Sequence, residues 1–219
     1  MENSGSLRNN TKGFLEVADA VKAAIATGQL KPGQRLVEAQ LCQLFGVKRG
    51  RVREALHKLE HDGFVRIISN VGAIVAEFSR SDVEYIYDLL SVVDGLAVRL
   101  ATPFVTSEQW ESLEALVERM KATDNLALFS QCNDDLHTRF CIYSENGRLI
   151  SLEENLRLSI KAFGYRSFYA RGQVEASNAE HRQILQAMKE NKPLRAERIM
   201  RSHIGHAKNR LLKWIYRSP

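Results

Sequence analysis

Leu36-Val37-Glu38-Ala39-Gln40-Leu41-Cys42-Gln43-Leu44-Phe45-Gly46-Val47-Lys48-Arg49-Gly50-Arg51-Val52-Arg53-Glu54-Ala55-Leu56-His57-Lys58-Leu59-Glu60-His61 carries two helical periods separated by one glycine. Val37, Leu41, Leu44 and Phe45 recur at helical spacing over Leu36–Phe45, and Gly46 closes that helix. Val47 packs the turn. Lys48–His61 reads as the next helix, with Val52, Ala55, Leu56 and Leu59 on its inner side and Gly63 just past its end. The other side is basic: within Lys48–Lys58, Lys48, Arg49, Arg51, Arg53 and Lys58 face one acid, Glu54, a local charge of +4.

Outward from this pair, Phe14–Thr27 places Phe14, Leu15, Ala18, Val21, Ala24 and Ile25 at helical spacing, and Gly28 stops it. Lys31-Pro32-Gly33 presets a bend through proline and glycine. On the far side the period changes to that of strands. Phe64-Val65-Arg66-Ile67-Ile68 and Ala73-Ile74-Val75 flank the turn Ser69-Asn70-Val71-Gly72, which predicts a hairpin. Three helices, a short turn between the second and third, and a hairpin describe a winged helix-turn-helix. Such a third helix can lie in a major groove while its apolar back packs on the first two.

From Ser81 onward the pattern is helical. Ser81 with Glu84, Thr106 with Gln109 and Ser177 with Glu180 have capping-box spacing. Helices are expected at 82–102, 107–122, 126–144, 148–170, 177–190 and 194–216, and six helices on short connections make an antiparallel bundle. The predicted fold is therefore mainly α. It comprises a winged helix-turn-helix at 1–76, with 1–12 as a disordered tail, a linker at 77–80, and an all-helical domain at 81–219.

The composition suits this division. The chain has 219 residues, 44% hydrophobic and 26% charged, with 13 Gly and 4 Pro, which excludes collagenous and disordered classes. No run approaches the roughly 18 apolar residues of a membrane span, and Met1–Lys12 lacks the apolar core of a signal peptide, so a cytoplasmic protein without a membrane partner is expected. Cys42, Cys132 and Cys141 match no zinc or redox spacing and are expected as reduced thiols. The net charge of +5 hints at an anionic partner.

The run from Ala26 to Val75 resembles the GntR family of bacterial transcription regulators. The resemblance rests on Gly28-Gln29-Leu30-Lys31-Pro32-Gly33-Gln34-Arg35-Leu36, Glu38, Leu41, Phe45-Gly46-Val47-Lys48-Arg49, Val52-Arg53-Glu54-Ala55-Leu56, Leu59, Asp62-Gly63-Phe64-Val65 and Gly72. It implies that Arg49 and Arg53 touch DNA from the recognition helix and that the wing tip near Gly72 enters the minor groove. Arg35, Lys48 and Arg51 complete the expected DNA-binding set. Lys48, Gly50 and Arg51 stand where the family usually has Ser, Thr and Pro, so this chain brings extra positive charge to the interface. An arginine suits the role because its planar fork pairs with guanine or phosphate.

The second half is similar to the FadR C-terminal-domain (FCD) subfamily, and its length is closer to the shorter VanR-like sensors. Asn133-Asp134-Asp135-Leu136-His137, Glu180-His181-Arg182-Gln183-Ile184-Leu185-Gln186-Ala187 and His203 carry the likeness. It implies a divalent metal, zinc or nickel first, held by Asn133, His137, His181 and His203. Spacing agrees: Asn133 and His137 are four apart on one helix, while His181 and His203 come from two others. Asp134 is one residue out of register, about 100° around the helix. Leu90 replaces an arginine that many members carry four residues before the acid aligned with Asp94, so Arg157 or Lys161 is the candidate base for an effector.

The resulting expectation is a regulator of transcription, a repressor, that binds an inverted-repeat operator in double-stranded DNA as a homodimer and answers to a small organic acid held at the metal. Two rivals stand beside it. One is a metal-dependent enzyme using the three histidines, against which no carboxylate base is fixed by sequence nearby. The other is a regulator that senses the metal itself.

Overall fold

The computed structural model describes residues 13–77, 79–162 and 171–215. The expected tail 1–12, the expected end of the fourth bundle helix at 163–170, Phe78 of the expected linker and Tyr216 lie outside the described residues. The chain divides into two compact units, 1–77 and 78–219.

In the first unit the order is α1 (Phe14–Ala26), β1 (Arg35–Leu36), α2 (Glu38–Phe45), α3 (Arg49–His61), β2 (Val65–Ile68) and β3 (Gly72–Val75). Gly46 caps α2 in the left-handed region at φ 65°, where a side chain would be strained. α1 packs on α3, and Val17, Val21 and Ile25 of the first and Val52, Leu56 and Leu59 of the second are nearly inaccessible to solvent. This leaves the basic side of α3 outward. The hairpin closes over Val71, whose N–H donates to the Ile68 carbonyl at 3.1 Å, with Asn70 at φ 62° and Gly72 at φ 99°.

The sheet has a third strand that the sequence reading missed, in the order β1-β3-β2. Arg35 pairs with Ile74 and Leu36 with Ala73, so Leu36 belongs to a strand and α2 begins two residues later than its apolar spacing suggested. Only a partner almost forty residues away in sequence fixes that choice.

Lys22 and Asp62 form a nearly buried ion pair at 2.7 Å, and Lys58 donates to the same carboxylate at 2.7 Å. Burial pushes the Asp62 carboxyl up, but the two lysines outweigh it and hold the carboxyl below its ordinary range. The stabilisation is therefore complete above the unfolded aspartate pKa of about 4 and is lost as pH falls through the lower folded value. Lys22→Met is expected to cost the first unit up to about 3 kcal/mol, because it removes one partner of a mostly buried carboxylate. Amide exchange in α1 and α3 of the full chain should accelerate accordingly, and unchanged exchange would contradict the assignment.

The second unit consists of α4 (Arg80–Ala101), α5 (Ser107–Ala122), α6 (Leu126–Tyr143), α7 (Gly147–Ala162), α8 (Arg171–Lys189) and α9 (Pro193–Ile215). Among the described residues these are the six expected helices. α4 lies in the middle, against α6, α7 and α9, and Leu90, Val98, Leu113, Met120, Phe129, Leu136, Phe140, Ile184, Met188 and Met200 fill one core.

Two expected caps lie elsewhere. Ser79, not Ser81, caps α4, accepting from the Asp82 N–H at 3.2 Å while the Asp82 carboxylate accepts from the Ser79 N–H at 2.7 Å. Ser177 caps nothing. α8 starts at Arg171, and Ser177 lies in mid-helix on the buried stripe that continues through His181, Ile184 and Met188. The Thr106–Gln109 box stands at the start of α5.

Candidate functional site

The basic face of the first unit is built on α3. Arg49, Arg51 and Arg53 are exposed along it, and Lys48 is the exposed residue that caps it. Arg53 Nε donates to both Glu38 oxygens, at 3.0 and 3.2 Å, and Arg49 Nε lies 3.9 Å from the same carboxylate. That geometry engages the Nε of the Arg53 guanidinium. Arg51 is turned onto Glu54 at 2.9 Å. Arg35 lies beside the wing: a Cβ built on Gly72 would stand 3.9 Å from Arg35 Nε and 4.0 Å from Nη2. All six expected DNA contacts thus sit on exposed positions of α3 or the β1–β3 edge. Sequence reading placed Glu38 in the motif but missed that it holds Arg53, since nothing local pairs residues 15 apart.

In the second unit α6, α8 and α9 each deliver one histidine inward. One nitrogen from each of His137, His181 and His203 lies within 4.8 Å of the other two, and the rings are at most 3% exposed. His181 Nε2 and His203 Nε2 are 3.2 Å apart. Nδ1 of His137 meets Asp94 Oδ2 at 2.8 Å, and Nδ1 of His203 meets Glu180 Oε2 at 2.7 Å. A carboxylate acceptor places the ring proton on Nδ1 and turns the Nε2 lone pair toward the common centre, the arrangement that metal-binding histidines use. Burial holds His137 and His181 well below the ordinary imidazole range, and it lowers His203 although Glu180 opposes it. Neutral rings keep their lone pairs available.

Asn133 lies one turn before His137, 5% exposed, and its Oδ1 is buried without a hydrogen-bond partner. Three imidazole nitrogens with an orphaned amide oxygen on the same helix face fit a borderline-soft divalent ion such as zinc or nickel. Asp134, as its register implies, points elsewhere, with Oδ1 3.8 Å from Arg157.

Arg157 reaches this interior, but its guanidinium is taken up by carboxylates: Asp94 at 2.7 Å, Glu153 in direct contact, and Asp134. Together they raise its pKa further, against the cost of burial. Burial also raises Asp94 and Glu153, with Arg157 countering both. Leu90 is core, 1% exposed. Lys161 belongs to α7, and its side chain lies outside the described residues. His206 is 55% exposed and meets Glu180 Oε1 at 2.6 Å. The three cysteines are free thiols, Cys132 and Cys141 buried.

The family model described as "FCD domain" matches residues 85–206, and that described as "Bacterial regulatory proteins, gntR family" matches residues 15–75. The chain is 27% identical over 198 residues to the HTH-type transcriptional regulator YdhC of Bacillus subtilis (strain 168), covering 88% of each. It is 26% identical over 221 residues to the Glc operon transcriptional activator of Escherichia coli (strain K12), covering 89% of this chain and 87% of that protein. Among solved structures, E. coli McbR/YncC superposes with a TM-score of 0.75 at 19% identity, over 93% of this chain and 98% of that one, a likeness of fold. Among the described residues no helix is long and apolar enough to cross a membrane.

Proposed function

This chain belongs to the gntR family of bacterial regulatory proteins and carries an FCD domain, a DNA-binding transcription regulator; from that premise we propose that it is a repressor switched by a small metabolite at a metal centre. The proposed centre comprises Asn133, His137, His181 and His203. The observation that carries it is the convergence of three buried imidazoles, two of them oriented by carboxylates. A zinc or nickel ion held by these residues would supply a Lewis-acid attachment point for an anionic group.

The chain's own residues do the rest. Asp94 orients His137, and Arg157 donates to the same Asp94 oxygen, Oδ2. Glu180 orients His203. Asn133 adds no charge, so the ligand set is neutral and the centre favours an anionic partner. A ligand held between α6, α8 and α9 shifts operator binding only by as much as it prefers one arrangement of the bundle.

On the DNA side, α3 enters the major groove with Arg49 and Arg53 at the bases or phosphates, Lys48 and Arg51 add charge, and Arg35 with Gly72 brings the wing to the minor groove. One winged helix makes few phosphate contacts, so the proposed working unit is a homodimer on an inverted repeat. Selection from a pool of random duplexes should return two half-sites related by a dyad, and light scattering should give twice the chain mass. A monomer bound to one half-site would contradict this part.

Glu38 has a measurable share in recognition. With Arg53 released from it, the guanidinium samples more rotamers and loses its aim. Glu38→Gln should lower the ratio of operator to scrambled-duplex affinity by roughly two- to tenfold, the scale of one hydrogen bond. Scrambled-duplex binding should hold or rise, because an acid has left a DNA-facing surface. Equal loss on both duplexes would show that Glu38 only supports the fold.

A further inference from the structure

We infer that Arg66 is a further DNA-holding residue, and that it and Arg35 clamp the two phosphate backbones bordering the minor groove while an uncharged wing tip lies between them. The inference deepens the proposed docking of the wing and rests on it.

The sheet register places the pair. Ile74 of β3 stands opposite Arg35 of β1 on one side and Arg66 of β2 on the other, so the three residues form one cross-strand row. Successive residues of a strand face opposite ways. Leu36, Val65, Ala73 and Val75 are buried, which puts the row on the outer face of the sheet, and Arg35 and Arg66 are exposed there. Gly72 lies two residues from Ile74 on the same face, and Arg35 Nε is 3.9 Å from where its Cβ would stand. Arg35 therefore leans toward the wing tip, over a position that offers no side chain of its own.

Charge sets these two arginines apart from the bases of α3. Arg49, Arg51, Arg53 and Lys58 each have a carboxylate within 3.9 Å. Among the described residues Arg35 and Arg66 have neither an ion pair nor a side-chain hydrogen bond. Glu60, the acid that reaches β2, accepts from the Ile67 N–H at 2.9 Å on one oxygen, and its other oxygen lies 3.7 Å from His57. The hairpin itself, 64–76, holds no acid. Two guanidiniums free of carboxylates on one acid-free face suit phosphate oxygens, which they meet as forks.

The spacing decides how they bind. Two strand separations of about 4.8 Å set the Arg35 and Arg66 backbones roughly 10 Å apart. A minor groove is about 6 Å wide, so the two heads straddle it, one on each DNA strand. Between them the tip Ser69-Asn70-Val71 is uncharged, with Ile68 37% and Val71 39% exposed. The tip offers the groove shape and apolar contact, and the arginines supply the charge.

The test is an anisotropy titration of the full-length protein on its selected operator and on a scrambled duplex, over a range of salt. Arg66→Gln should weaken both about three- to tenfold and lower the slope of log affinity against log salt by about 0.9, with the ratio of the two affinities unchanged. Arg66→Lys should keep the slope, since a phosphate also accepts a point charge. Adding Arg35→Gln to Arg66→Gln should lower the slope by about 1.8 in all. Arg198→Gln, an exposed change on α9, should have no effect. Neutral methylphosphonates placed singly along the operator should then find two sensitive positions across the minor groove of each half-site, one per DNA strand, and Arg66→Gln should be indifferent to one of them. Should Arg66→Gln not fold, the same scan of wild type and Arg66→Lys carries the test. Unchanged affinity and slope in Arg66→Gln, a shift of base preference in place of the slope, or sensitive phosphates on one side of the minor groove only overturns the clamp. If Arg53→Ala still weakens binding in that event, recognition by α3 stands without it; a wild type that binds neither duplex overturns both.

Discussion

Arg53→Ala weakens operator binding roughly five- to a hundredfold at fixed salt, while the fold holds. The expectation follows from the position of Arg53 on the outward side of α3, opposite Val52 and Leu56, which are buried. Glu38 accepts from its Nε, and the amino groups are the ones to pair with a base or phosphate. The Arg53–Glu38 pair is largely exposed, and such pairs contribute little to stability, so the loss should appear in binding and not in unfolding. Titrations over a range of salt separate the two possible contacts. A phosphate contact lowers the salt slope by about one, and a base contact relaxes sequence preference at one position of each half-site. Unchanged affinity and slope would take Arg53 out of the interface.

At the proposed metal centre, His181→Ala is expected to lower divalent-metal affinity by about a hundredfold or more. Replacing a carboxylate that merely orients a ligand already costs about ten- to a hundredfold, and His181 offers a ligand atom itself. Its Nε2 lies 3.2 Å from that of His203, inside the cluster, whereas its Nδ1 is buried and unpartnered. Asp94→Asn is the milder companion: shape is kept, but the acceptor that turns His137 inward is weakened, and an intermediate loss follows. Elemental analysis of the purified variants gives the stoichiometry. Half-site DNA binding by the winged helix should survive both changes, since its core of Val17, Val21, Val52 and Leu59 lies in the other unit. A His181→Ala protein with one metal per chain would refute the centre.

Much of this was legible in the residues, and what was not has a common physical cause. α1, α2, α3 and the hairpin could be read because apolar side chains recur at the period of the element they build. β1 could not, because two residues carry no period and Arg35 and Leu36 are held only by Ile74 and Ala73. Ser177 shows the opposite error. A serine three residues before a glutamate has the look of a cap, but the stripe Ser177, His181, Ile184 and Met188 runs at helical spacing straight through it and is buried. Glu180, freed from that supposed box, orients His203 instead.

The histidines themselves were named by the family resemblance, with their spacing in agreement. Their partners were not, since Asp94 is 43 residues from His137 and only the packing of α4 on α6 brings them together.

The most direct test of the whole reading is an anisotropy titration of the selected operator with zinc-loaded protein, with and without acetate, malonate or succinate. Wild type should change its operator affinity with at least one of these carboxylates, in either direction, and His181→Ala should not respond. Wild-type affinity indifferent to all three, or a response that persists in His181→Ala, would contradict control from the three-histidine centre.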